Sequence, residues 1–309
     1  MDQPSLSSSE PSVARGRLCI ALAAVLWSSS GAFVKLLTHD TPLGLNTPLI
    51  DPLQIAFYRV LFAGLVLLPA LRRRDLSFYP LMAVMVVAFA VMNGLFVSAM
   101  ARGPAANAIL LQYTAPMWLY LASVWLLREP ADRRSSVALV IGLLGIGIIV
   151  GGGWNEGQLP VVGIALGSGV AYAGVLICLR VLRGASPRWL TVINHLFGAL
   201  ALVPFLWYQA SPSPRPQQIA FLILFGAVQM ALPYWLVSRG LRVVSPQEAG
   251  IITLLEPLLN PLWAFLVVGE LPPPATFAGG AFILGALVWR YWPRNRGQGS
   301  GVRGQQEGG

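Results

Sequence analysis

The sequence predicts an all-α polytopic membrane protein whose ten transmembrane helices form two inverted-topology repeats of five. Three observations predict it. Of 309 residues, 56% are hydrophobic and only 11% charged, with a mean hydropathy of +0.67, whereas soluble domains carry about 25% charged residues. Ten stretches approach the roughly 20 apolar residues that cover a bilayer core, and with short connections they use almost the whole chain, leaving no room for a separate soluble domain. The arginines also alternate: 17 fall in every second connection or tail and 2 in the intervening ones. By the positive-inside rule, that pattern puts both termini in the cytoplasm of a cell (inner) membrane protein.

The first span, 18–37, follows Arg15 and Arg17. The second, 54–71, runs from Pro52 to the triple Arg72, Arg73 and Arg74. The third and fourth, 80–100 and 105–127, meet at the turn Arg102-Gly103-Pro104, and the fourth stops at Arg128. The fifth, 136–151, is short and ends in glycines. The sixth, 161–179, lies between Pro160 and Arg180, and the seventh, 187–208, opens on Pro187. The eighth, 217–238, runs from Pro216 to Arg239, the ninth, 247–268, from Pro246 to Gly269, and the tenth, 275–292, follows three prolines. Proline and glycine punctuate such ends, and tryptophan and tyrosine anchor them at the interface. The domains expected are a polar tail at 1–17, a first repeat at 18–151, an external linker at 152–160, a second repeat at 161–292, and a disordered tail at 293–309 that is rich in Gly, Gln and Arg.

The repeat is read from the chain itself. A shift of 135 residues lays 52–69 over 187–204, matching Pro52 with Pro187 and Pro69 with Pro204. A shift of 141 lays Pro116 on Pro257 and Glu129 on Glu270. Five helices per half force the halves into opposite orientation, an arrangement that in secondary transporters places substrate at the repeat interface.

Charge and cysteines exclude other classes. The net charge of +9 lies in connections and not on a nucleic-acid face, so no nucleic-acid partner is expected. Cys19 and Cys178 fall inside spans, and the serine-rich start carries its charge in the wrong place for a cleavable signal peptide. No metalloprotease, phosphate-loop or serine-hydrolase motif is present, two histidines give little scope for a metal site, and no cofactor is expected.

The ninth span holds the oddest chemistry. Glu256 lies in its middle, with Pro257 and Pro261 one turn apart. Intramembrane carboxylates face an interior or a water-filled path, and a carbonyl freed by proline needs a partner there. Thr253, Glu256, Asn260 and Trp263 share one helix face. Trp27, Gly31 and Lys35 share another, and Lys35 is the only lysine. Lys35 and Arg59 could draw a substrate carboxylate; the plainer alternatives are snorkelling of Lys35 to the interface and pairing of Arg59 with Asp40, Asp51 or a backbone carbonyl. Asn93, Gln112, Trp118, Tyr172, Gln229, Tyr234 and Trp235 complete a candidate polar and aromatic pathway. Glu256, and secondarily His195, are candidate carriers of a coupling proton. Glu129 and Glu270 are expected to be structural.

With these residues in view, the chain resembles the EamA-type transporters of the drug/metabolite transporter superfamily. The resemblance rests on AVLWSSSGAFVKLL, PLQIAFYRVLFAGL, NGLFVSAMARGPAANAILLQYTAPMW and LLEPLLNPLWAFLVVGE, in that order across a ten-span chain. It implies two inverted bundles, a central cavity, and export of amino acids or related metabolites. Tyr172 stands where the resemblance leads one to expect tryptophan. Partners expected are the lipid bilayer, a small-molecule substrate, a coupling proton, and a second copy through the small-residue pairs at 147–151 and 281–285. The competing readings are an importer or carrier of another solute class, a membrane sensor, and a polytopic membrane enzyme.

Overall fold

The computed structural model describes residues 10–125, 128–155, 158–208 and 212–292, so most of each expected tail lies outside the described residues. Among these residues the protein is all-helical, with no strand, and eight helices are long and apolar enough to cross a membrane. They are Val13–Thr38, Pro52–Ala70, Pro80–Arg102, Arg133–Gly152, Leu159–Val181, Pro187–Tyr208, Pro216–Gly240 and Pro246–Val268.

In chain order the helices are α1 (Glu10–Ser28), α2 (Ser30–Thr38), α3 (Pro52–Leu67), α4 (Pro80–Arg102), α5 (Ala105–Gln112), α6 (Ala115–Trp125), α7 (Arg133–Asn155), α8 (Leu159–Val181), α9 (Pro187–Tyr208), α10 (Pro216–Leu224), α11 (Leu232–Gly240), α12 (Pro246–Ile252), α13 (Leu255–Val268) and α14 (Pro274–Tyr291). A π-helical turn, Phe225–Ala231, joins α10 to α11. The expected fourth span corresponds to α5 with α6, and the tenth to α14. The first helix starts at Glu10, inside the stretch expected to be a polar tail. Gly16 lets it cross α11 closely, since a Cβ there would meet Val244 and the Gly240 carbonyl, and Arg17 bonds Glu248 at 2.5 Å.

Several helices open on proline at the first turn, where its missing N–H leaves nothing unpaired. Asp51 caps α3 by accepting from the Leu53 N–H at 2.7 Å, and Ser245 caps α12 through the Glu248 N–H. The helices pack chiefly across the two halves of the sequence: α7 on α14, α4 on α8 and α9, α3 on α9, and α1 on α11 and α13. Exposed apolar side chains follow the outside, as lipid contact requires; on α13, Leu258, Leu262 and Leu266 are exposed while Pro257, Asn260 and Ala264 are buried.

Two ends of the bundle can be told apart by composition. One gathers Arg17, Arg180, Arg188, Arg239 and Arg290 and is here called the arginine-rich end. The other holds Lys35, Gly103 and Glu270. There Gln218 donates to the carbonyls of Leu45 and Pro48 at 2.7 and 2.8 Å, pinning the connection between α2 and α3 onto α10.

Three helix pairs are continuous runs of apolar sequence that the backbone interrupts. The interruptions fall at Ser29 between α1 and α2, at Tyr113 and Thr114 between α5 and α6, and at Thr253 and Leu254 between α12 and α13. At each, short hydroxyl side chains return to carbonyls three residues back: Ser28 to Val25, Ser29 to Leu26, Thr114 to Leu111 and Thr253 to Gly250, at 2.6 to 3.0 Å. These bonds compete with the helical ladder. Pro116 and Pro257 then remove the N–H that the carbonyls of Gln112 and Thr253 would otherwise receive.

Candidate functional site

The interruptions surround a cavity of about 260 Å³. Its wall takes Trp27 from α1, Arg59 from α3, Met92, Asn93 and Phe96 from α4, and Gln112, Tyr113 and Pro116 from the α5–α6 interruption. Tyr172 and Leu176 of α8 and Gln229, Met230 and Tyr234 of the π turn and α11 continue it. Gly250, Thr253, Leu254 and Glu256 come from the α12–α13 interruption, and Leu287 and Tyr291 from α14.

Two interrupted helices clasp each other across this space. The Tyr113 hydroxyl lies 2.7 Å from Glu256 Oε2 and 3.0 Å from the Thr253 carbonyl, which loses its helical donor at Pro257 and accepts the Glu256 N–H at 3.0 Å as well. Its single proton is therefore shared between a carboxylate and a carbonyl. The Glu256 side chain is thus engaged by Tyr113 of the other interrupted helix.

Arg59 is buried. Its Nη2 donates to Asn93 Oδ1, while Asn93 Nδ2 donates to the Phe89 carbonyl at 3.2 Å. The guanidinium also sits over the rings of Phe225 and Phe96, with centroids 5.3 and 5.8 Å away. Arg59 Nε and Nη1 and Gln229 Oε1 find no hydrogen-bond partner among the described residues. Gln229 Nε2 donates to the Trp27 carbonyl at 3.0 Å. The π turn permits this placement because Gly226 lies flat on α3, where a Cβ would stand 2.7 Å from the Arg59 carbonyl. Arg59 thus pairs with an amide and not with Asp40, Asp51 or a backbone carbonyl.

Of the residues singled out from sequence, Trp27, Arg59, Asn93, Gln112, Tyr172, Gln229, Tyr234 and Glu256 line this cavity. Lys35 does not. It is buried, neither snorkelled nor turned to the cavity, and its Nζ lies 2.6 Å from Glu270 Oε2. Asn260 donates to the Ser28 carbonyl at 2.9 Å and the Ser30 hydroxyl at 3.1 Å, so it repairs the α1–α2 interruption. Trp118 donates to Thr114 Oγ1 at 2.8 Å. Trp235 is exposed, with the Arg239 guanidinium 3.9 Å over its ring.

His195 stands behind Tyr234, ring to ring at 5.1 Å, with Nδ1 2.8 Å from the Thr191 carbonyl. It lines a neighbouring cavity of about 380 Å³ that shares Met92, Tyr172, Leu176 and Tyr234 with the first. Tyr113 and Tyr291 were not foreseen. Tyr113 had one available signal, its place between Gln112 and Thr114 and three residues before Pro116.

Glu129 and Glu270 form ion pairs. Arg180 grips Glu129 with both terminal nitrogens, at 2.7 and 3.2 Å. Glu270 holds Lys35 with one oxygen and accepts the Ala105 N–H at 2.7 Å with the other.

Comparison with known proteins gives consistent matches. The EamA-like transporter family matches residues 14–151 and 159–292. The chain is 30% identical over 281 residues to an uncharacterized transporter of Archaeoglobus fulgidus, covering 89% of this chain and 96% of that one. It is 26% identical to the uncharacterized transporter YwfM of Bacillus subtilis, covering 90% and 95%. It is 24% identical to the pseudopaline exporter CntI of Pseudomonas aeruginosa, covering 88% and 94%. A crystal structure at 17% identity superposes with a TM-score of 0.59 over 92% of this chain and 98% of that one, a likeness of fold.

Proposed function

We propose, from the premise that this chain belongs to the EamA-like transporter family, that it is a secondary-active or facilitative exporter of small metabolites such as amino acids. It works by alternating access between two inverted five-helix halves, with ten spans and both termini in the cytoplasm of a cell membrane. The observation that carries the reading is one cavity, walled by helices from both halves, that holds the Arg59 guanidinium and the Glu256 carboxylate together. Its volume of about 260 Å³ falls just below the roughly 300–1,000 Å³ of drug-sized sites, which favours a small solute. Arg59 offers two unpartnered nitrogens, Nε and Nη1, to a substrate carboxylate, and Glu256 offers a carboxylate to an ammonium group or to a proton. A buried cation of this kind is tolerated in a bilayer only inside the protein. Transport changes no chemical bond, so the residues act by binding, orienting and exchanging partners.

The test is metabolite profiling of the medium around cells that overproduce the protein, with Glu256→Gln at equal membrane abundance as control. A compound enriched only with the native protein supports export and the role of Glu256. Identical media from native protein, variant and empty cells would overturn the export reading and leave an importer as the next to test.

A further inference from the structure

The two structural glutamates occupy matched places. A shift of 141 residues lays Glu129 on Glu270, and a shift of 145 lays Trp27 on Tyr172 and Lys35 on Arg180. Trp27 and Tyr172 both line the central cavity, and the cation of each half lies eight residues further along the same span, past the α1–α2 interruption for Lys35 and within α8 for Arg180. The ion pairs join the same partners in both cases: the first helix of one half to the end of the fourth helix of the other. Each pair has a third contact in the fourth-helix region, the Ala105 N–H for Glu270 and the Ser123 hydroxyl for Arg180.

Their surroundings differ. Lys35 and Glu270, at the arginine-poor end, have side chains only 3% and 18% exposed, whereas Arg180 and Glu129, at the arginine-rich end, are 51% and 39% exposed. The cavity shows the same asymmetry. Its wall reaches Gly250 and Tyr291, near the arginine-rich ends of α12 and α14, and takes no residue from α2. Removing one partner of a dehydrated pair strands a buried charge, while a hydrated pair adds little.

We propose that Lys35–Glu270 and Arg180–Glu129 are reciprocal latches of the transport cycle. Lys35–Glu270 holds the outer side shut in the state described here. When the halves exchange conformation, Arg180–Glu129 becomes the dehydrated pair and shuts the cytoplasmic side, while Lys35–Glu270 opens to water. This rests on the reading of two inverted halves above. Population shift supplies the logic: a contact biases the equilibrium only by its difference between the two states.

The experiment replaces Cys19 and Cys178 by serine, places one reporter as Phe96→Cys in the cavity wall, and measures its modification in intact cells by a membrane-impermeant maleimide. Lys35→Met raises the rate of labelling from outside by about fivefold or more, and Arg180→Met lowers it. The charge exchange Lys35→Glu with Glu270→Lys brings the rate back toward the parent, and its membrane abundance guards against a misfolded single variant. Both single variants moving the rate in one direction, or neither moving it, overturns the latch proposal. The readout needs no substrate. Opposite shifts without export of any compound would therefore sink the exporter reading alone, and export without opposite shifts would sink the latches alone.

Discussion

The crossing of α7 and α14 gives the sharpest prediction about what holds the bundle together. A methyl group on Gly279 would stand 2.5 Å from the Gly145 carbonyl oxygen and 2.6 Å from Ile149 Cγ1. Ordinary Cβ contacts begin about 0.9 Å further out, at 3.4 Å, and the obstacle is backbone, which cannot turn aside as a side chain would. Gly279→Ala must therefore push two packed helices apart along their shared length. Overpacking of this kind costs about 1–3 kcal/mol. At about 2–4 °C per kcal/mol, the apparent melting temperature falls by about 2–12 °C. Gly147→Ala and Gly285→Ala are the controls, because no atom lies within 4 Å of the added carbon at either place; helix propensity alone then makes them neutral to stabilising. The assay is thermal loss of the monodisperse peak of a fluorescent fusion in detergent. The packing argument fails if Gly279→Ala melts with the parent, or if Gly147→Ala falls as far as Gly279→Ala.

Three further outcomes follow from the site and its surroundings. Tyr113→Phe removes the hydroxyl that bonds Glu256 and the Thr253 carbonyl; a hydrogen bond to a charged group contributes about 1.5–3 kcal/mol, so transport drops at least about tenfold at unchanged membrane abundance, and an unaltered rate would refute the clasp. Asn93→Leu leaves Arg59 without its amide acceptor, so folded protein falls by a similar free energy while Asn93→Asp retains it; parental melting of Asn93→Leu would show that Arg59 is not locked through Asn93. Asp75 is held below the usual carboxylate range by the Arg72 N–H and the Ser186 hydroxyl. Its contribution to stability is therefore complete above the ordinary value near about 4 and disappears as pH falls through the lower folded value. Asp75→Asn flattens that acid limb of the melting curve, and an unchanged limb would assign it to other carboxylates.

Hydropathy and proline placement made the helices legible, and the seventh expected span coincides with α9, Pro187–Tyr208. The interruptions were not legible as such. A hydropathy window averages over the hydrogen-bond switching at Ser29, Thr114 and Thr253, and it cannot register a π turn that changes backbone pairing without changing composition. Pro116 and Pro257 were the available traces of two of them. In the cavity, the polar members Arg59, Asn93, Gln112, Gln229 and Glu256 were legible because each is costly in lipid. Phe96, Met92 and Tyr291 were not, since an aromatic or apolar side chain reads alike whether it faces lipid, core or cavity. Lys35 shows the other limit. Its charge and depth suggested a substrate contact, but its partner Glu270 lies 235 residues away, and only the fold brings them together.

The same lysine carries a consequence for protein chemistry. It is the chain's only lysine, and its side chain is 3% exposed with the amine bound to a carboxylate. Acylating esters attack free, unprotonated amines, so apart from the chain's own amino terminus the folded protein offers them no target. A native, unsubstituted sample thus has one internal acylation position, silent while that amine stays dehydrated. After digestion at arginine, the acylated fraction of the peptide holding Lys35 counts the molecules that have exposed it, with no engineered label at all.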